Sequence, residues 1–276
     1  MYATYCKLCP LSLIITKIIL DICKPLHIIS FSPNQLVFML AGAIESEIQA
    51  LIDREFIKTL TQTLVHTCTV TVESYMKQEL VLIDLIEEFE ERIGRGFDWK
   101  LHDLILISKV FTKLKLILCE RSFSNVVREA SVFAIAKLIR FNKDVFVGQI
   151  LISKTVCALI SLTSVRSIQI LCTLIRSIKS PIVDEIVSGD IIPKLVGFLT
   201  SDEVSIRAMA VNCVLEVGYF GRKEAIDAML EVDLVKRLLD LQRCENGDVF
   251  GSCLLMVGLV GLNGFCLKII IIQHVK

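Results

Sequence analysis

Three stretches of this chain open alike and then follow the same apolar pattern. They are "VREASVFAIAKLIRF" from Val127, "VRSIQILCTLIRSIK" from Val165 and "IRAMAVNCVLEVGYF" from Ile206. Each begins with a β-branched residue and an arginine, and their offsets are 38 and 41 residues. Between them lie pairs of shorter helical pieces: "NKDVFVGQIL" with "KTVCALISLTS", and "SPIVDEIVSG" with "DIIPKLVGFLTS". A further short pair follows, "RKEAIDAMLE" and "VDLVKRLLDLQ". A helical triplet recurring near every 40 residues is the period of an α-solenoid. One triplet cannot bury its own apolar faces, whereas stacked triplets share a continuous core. The expected fold class is therefore all-α, a solenoid of three-helix repeats.

Composition agrees with that period. Apolar residues make up 54 % of the 276-residue chain but aromatics only 7 %, so the apolar content is mainly Leu, Ile and Val. Mean hydropathy is +0.65. Five prolines and thirteen glycines leave long uninterrupted segments, which favours helices or buried strands over disorder. Eleven cysteines, an odd number lying mostly inside apolar runs, argue against a disulfide framework and point to reduced thiols in the cytosol or nucleus.

Upstream of the triplets, residues 1–40 are compositionally odd, and within them "PLSLIITKIILDICKPLHIISF" is nearly continuous apolar sequence. It is broken by Lys17, Asp21, Lys24 and Pro25, which argues against a membrane span, and no small-residue cleavage site marks a signal peptide. A helical pattern begins at Ala41, with Ile44, Ile48, Leu51, Ile52 and Phe56 near one face. "QELVLIDLIEEFEERI" continues it, with Leu80, Ile83, Ile86 and Phe89 as its apolar side and a Gly94-Arg95-Gly96 stop. "WKLHDLILISKVFTKLKLILCE" reads as one further helix of about five to six turns. Four parts are expected: an apolar segment 1–40, a helical part of the solenoid 41–122, repeats over 123–246, and an apolar tail 247–276.

"SGDIIPKLVGFLTSDEVSIRAMAVNCVLEV" resembles an armadillo repeat. Gly189, Ile192, Pro193, Leu195, Val196, Leu199, Ala208 and Ala210 carry the match. The run from about Phe123 to Asn246 is similar to plant armadillo-superfamily proteins, including the repeat portion of plant U-box proteins, but the chain has no U-box signature. The resemblance implies a right-handed superhelix and a groove, lined by third helices, that receives extended partner segments. In armadillo proteins that grip basic peptides the groove carries Trp-x-x-x-Asn pairs. The corresponding positions here are Phe133 and Lys137, Leu171 and Ile175, Asn212 and Glu216, and none holds that pair.

Candidate chemistry is sparse. Cys6, Cys9, Cys23 and His27 have the spacing of a zinc site, but the residues between them are almost wholly apolar where a small zinc module needs turns. His102 and Asp103 are only sequence neighbours, and adjacent helical residues do not face each other. The Glu87–Glu91 cluster suits a solvated helix face. Neither "GRGFDW" nor "GLVGLNG" follows a strand or precedes a phosphate-binding lysine. No acid–base or nucleophile set is present, so no enzyme, cofactor or bound metal is expected.

Two features bear on partners. Residues 104–180 hold 12 Lys and Arg against three Asp and Glu, while 181–250 hold seven against 13. The basic block reads either as solvated helix faces or as a binding surface; by the register the resemblance implies, Lys137, next to Phe133, is the groove residue that would meet an acidic or phosphorylated protein segment and Arg128 a cap or stacking residue, and nucleic acid is not expected. Residues 249–267 contain no charge over nineteen residues, the length of a membrane span. A buried terminal helix and translated non-coding sequence are the other two readings. The leading expectation is a non-catalytic protein-interaction scaffold; the alternative is a tail-anchored adaptor holding a cytosolic solenoid at a membrane.

Overall fold

The computed structural model describes residues 33–66, 75–151 and 154–243, and among them every regular element is helical. The order is α1 Pro33–His66, α2 Tyr75–Gly94, α3 Trp99–Ser108, α4 Val110–Cys119, α5 Asn125–Phe141, α6 Lys143–Leu151 and α7 Thr155–Ser161. Then come α8 Val165–Ile178, α9 Ser180–Ser188, α10 Ile192–Gly197 with a 3-10 turn Phe198–Thr200, α11 Val204–Phe220, α12 Lys223–Glu231 and α13 Leu234–Arg243. The chain divides into two compact units. One takes α1 up to Thr59 together with Asp98–Ser108; the other takes Leu60–Phe97 and the described residues from Lys109 onward.

In the first unit, Asp98 starts α3 by accepting hydrogen bonds from the backbone N–H groups of Lys100 at 2.7 Å and Leu101 at 3.2 Å. Lys100 also pairs with Glu47 of α1. The α1 helix begins at Pro33, ahead of the expected start at Ala41, and Ile48 and Ile52 of its expected apolar face are exposed.

The second unit is a stack of helical layers. Third helices α2, α5, α8 and α11 lie side by side as a ladder, first helices α6, α9 and α12 form another row, and second helix α4 packs on α7. Two of the third helices are started by serine caps. Ser124 Oγ accepts from Val127 N at the head of α5. Ser164 and Ser167 cap each other's backbone reciprocally at the head of α8, at 3.1 and 3.2 Å. Pro181 and Pro193 sit in the first turns of α9 and α10, where a missing N–H costs nothing. Corners close on left-handed backbone at Lys109, Thr163, Lys179, Asp190 and Asp233.

Two expectations need correction. The single helix read across residues 99–120 is two, because Lys109 adopts φ 54° and ψ 36° between α3 and α4; an apolar period continues across a corner that only tertiary packing imposes. The buried side of α2 is Leu82, Ile86, Phe89 and Ile93, and Leu80 is exposed. In α11 the closely packed small residue is Ala210, fully buried, while Ala208 is only partly covered. The armadillo-like positions Ile192, Leu195, Val196 and Leu199 are all core.

Candidate functional site

The ladder of third helices carries its side chains in cross-helix pairs. Lys137 Nζ of α5 lies 3.2 Å from Glu90 Oε2 of α2. Arg176 Nε of α8 donates to Glu216 Oε1 of α11 at 2.6 Å. Between these, the Arg166 guanidinium of α8 sits 5.9 Å from the centre of the Phe133 ring of α5. In both ion pairs the base is the exposed member and the carboxylate the more covered one. Burial lifts the Glu90 carboxyl above its ordinary value, with Lys137 pulling it down less strongly and Glu87 adding to the rise. The hydrogen bond with Glu216 holds the Arg176 guanidinium above its usual value.

Phe133, Lys137, Asn212 and Glu216 thus occupy the ladder, each pair one helical turn apart. Asn212 Oδ1 is covered yet has no hydrogen-bond partner among the described residues. Leu171 and Ile175 do not share that surface. Both are wholly buried, so they hold α8 in the core and cannot meet a partner. Aligning the Val-Arg and Ile-Arg openings misplaces the α8 register. The capping serines Ser124 and Ser164 are 40 residues apart, and α8 and α11 begin 39 apart at Val165 and Val204. On that spacing the α8 counterparts of Phe133 and Lys137 are Thr173 and Ser177, both partly exposed. A helix start is set by its cap, and the cap was legible in the Ser-x-x-Ser of residues 164–167.

Arg128 is buried and works inside the stack. Its Nε donates to the Leu118 carbonyl at 3.0 Å, and its terminal nitrogens reach Asn125 Oδ1 at 3.4 Å and Ser161 Oγ at 3.3 Å. It therefore ties α5 to the ends of α4 and α7, as a stacking residue should.

A cleft of about 470 Å³ opens at the end of the ladder where α2 and α5 terminate. Ile93, Gly94, Gly96, Phe97, Lys137, Arg140 and Phe141 line it. The Phe97 and Phe141 rings are 5.2 Å apart. Only Lys137 of these was legible as a site residue, because Phe97 and Phe141 are distant in sequence and meet only across the fold.

His102 Nδ1 does approach Asp103 Oδ1, at 3.3 Å, contrary to the expectation that adjacent helical residues stay apart. Glu88 and Glu91 pair with Arg92 and Arg95 one turn on. No group of three or more metal-ligating side chains occurs among the described residues. Cys6, Cys9, Cys23, His27 and the apolar stretch 249–267 lie outside the described residues. Among the described residues no single helix is long and apolar enough to cross a membrane.

No protein-family model and no curated protein matches this chain. Solved structures do. A designed armadillo repeat protein in complex with the peptide (KR)4 is 15 % identical, with a TM-score of 0.53, covering 90 % of this chain and 98 % of its own. An engineered protein is 17 % identical with a TM-score of 0.53, covering 71 % and 76 %. A computationally designed armadillo repeat protein for modular peptide recognition is 16 % identical with a TM-score of 0.50, covering 71 % and 78 %. The fold of this chain is an armadillo-type α-solenoid.

Proposed function

We propose that this protein is a non-catalytic scaffold that binds an extended segment of another protein along the ladder of α2, α5, α8 and α11. The observation that carries the reading is the ladder itself: one face, continuous over four helices, whose two ion pairs each keep an exposed base. The exposed bases, Lys137 and Arg176, are within reach of a partner's acidic groups. The unpaired Asn212 Oδ1 offers an acceptor to a partner's backbone N–H. The related fold of structures described as binding peptides supports the same role.

The partner segment is acidic or phosphorylated where it passes Lys137 and Phe133, since Lys137 belongs to a block rich in Lys and Arg. The setting is the cytosol or nucleus, where cysteines such as Cys119 and Cys157 stay reduced. The test is affinity purification with mass spectrometry, comparing the parent with Lys137→Glu and Asn212→Glu. A partner set that disappears with either substitution while the variant keeps its helical circular dichroism supports the scaffold. Recovery indifferent to both substitutions and to about 0.5 M salt sinks it. The membrane adaptor rests on the composition of residues 249–267 alone; pelleting with membranes through carbonate extraction would favour it, and release would favour the soluble scaffold.

A further inference from the structure

The cleft at the end of α2 and α5 has a chemistry of its own. It is lined by Ile93, the Phe97–Phe141 ring pair, Lys137 and Arg140, and no carboxylate is among its lining residues. Lys137 already faces Glu90 on one side, but Arg140 has no charged or hydrogen-bonding partner among the described residues. Phe97 is 62 % exposed, a large aromatic surface beside a guanidinium. The space is kept open by the backbone: α2 stops at Gly94, and Gly96 turns the chain away with φ 131°. A side chain added at either glycine would meet nothing within 4 Å. The aromatic pair suits a ligand that brings a ring as well as an anion, and a basic ligand would meet two like charges.

We infer that this cleft anchors an acidic peptide segment: an aromatic side chain lies on Phe97 and Phe141 while an anionic group beside it engages Arg140. The inference rests on the scaffold reading and names the chemistry its partner must carry. The anion is either a carboxylate next to the aromatic residue or a phosphate on a tyrosine. A guanidinium forks onto both in the same way, and the aromatic pair accepts either ring.

The experiment measures fluorescence anisotropy with the full chain and three labelled peptides, centred on Glu-Phe-Glu, on phosphotyrosine, and on Lys-Phe-Lys. The expected result is binding of one or both anionic peptides and none of the basic one. Arg140→Glu should weaken that binding about tenfold or more, and Phe97→Ser should weaken it severalfold. Both positions are exposed, so folding should be retained, as circular dichroism will show. The two anionic probes separate carboxylate from phosphate. Asn212→Glu separates the anchor from the ladder. Loss with Arg140→Glu but not with Asn212→Glu supports the anchor at the cleft. Loss with Asn212→Glu but not with Arg140→Glu overturns the anchor and keeps the scaffold. No binding by any anionic probe, or preference for Lys-Phe-Lys, overturns the anchor as well.

Discussion

The two ends of the ladder use similar parts and finish differently. At the joint of α2 and α5, and again at α8 and α11, an exposed base pairs with a more covered carboxylate on the neighbouring helix. Yet the glycines at the two ends have opposite surroundings. A Cβ on Gly94 would meet nothing within 4 Å, whereas one on Gly221 would lie 2.5 Å from the Val217 carbonyl and 2.7 Å from Ala225 Cβ. The α11 end is closed further by Ser180 Oγ donating to the Phe220 carbonyl at 2.8 Å and by α9 and α12 packing against each other. The α2 end is left as a cleft. The same ladder is thus stability-bearing at one end and open to a ligand at the other, and the difference comes from what packs behind the last turn.

That contrast can be broken most severely at the closed end. Ala210→Asp puts an unpaired carboxylate where no surface is exposed, and should cost about 3–5 kcal/mol. Ala208→Asp, two residues away and partly exposed, should cost much less. Thermal melts of the two variants check the difference, and equal melting temperatures would mean α11 is rotated from the position described.

Gly221→Ala should cost about 1–3 kcal/mol, since its Cβ meets backbone that cannot swing aside. Gly94→Ala, in open space at the end of α2, should stabilise by about 0.5–1 kcal/mol through the unfolded chain. Urea unfolding of both variants should give opposite signs; the same sign would remove the asymmetry between the two ends.

The smallest effect concerns Glu90. Its folded-state carboxyl is raised above the ordinary 4.5 chiefly by burial, so the folded protein holds that proton more tightly than the unfolded chain. The stability this contributes is fully present below about pH 4.5 and is lost as pH rises through the raised value. Glu90→Gln removes that fall. The variant should match the parent near about pH 4 and exceed it near neutrality, by less than about 1 kcal/mol. A variant less stable than the parent at neutral pH would show that the pair with Lys137 outweighs the burial of the carboxylate.

The sequence by itself determined the repeat. The recurrence from Val127 to Ile206, the helix-stop glycines and the apolar spacing all reflect local rules: caps, propensity and the need of each triplet to bury one face. Arg128 could be separated from Lys137 the same way, because residues nine apart on one helix do not share a direction. The tertiary structure alone decided what depends on neighbours. It bent the apolar run at Lys109 and brought Phe97 beside Phe141. Apolar periodicity says that a residue has a buried side available, but an Ile or Leu on a third helix satisfies the pattern at the groove or in the core alike. Which it does depends on the helix packed against it, and that helix lies about 40 residues away along the chain.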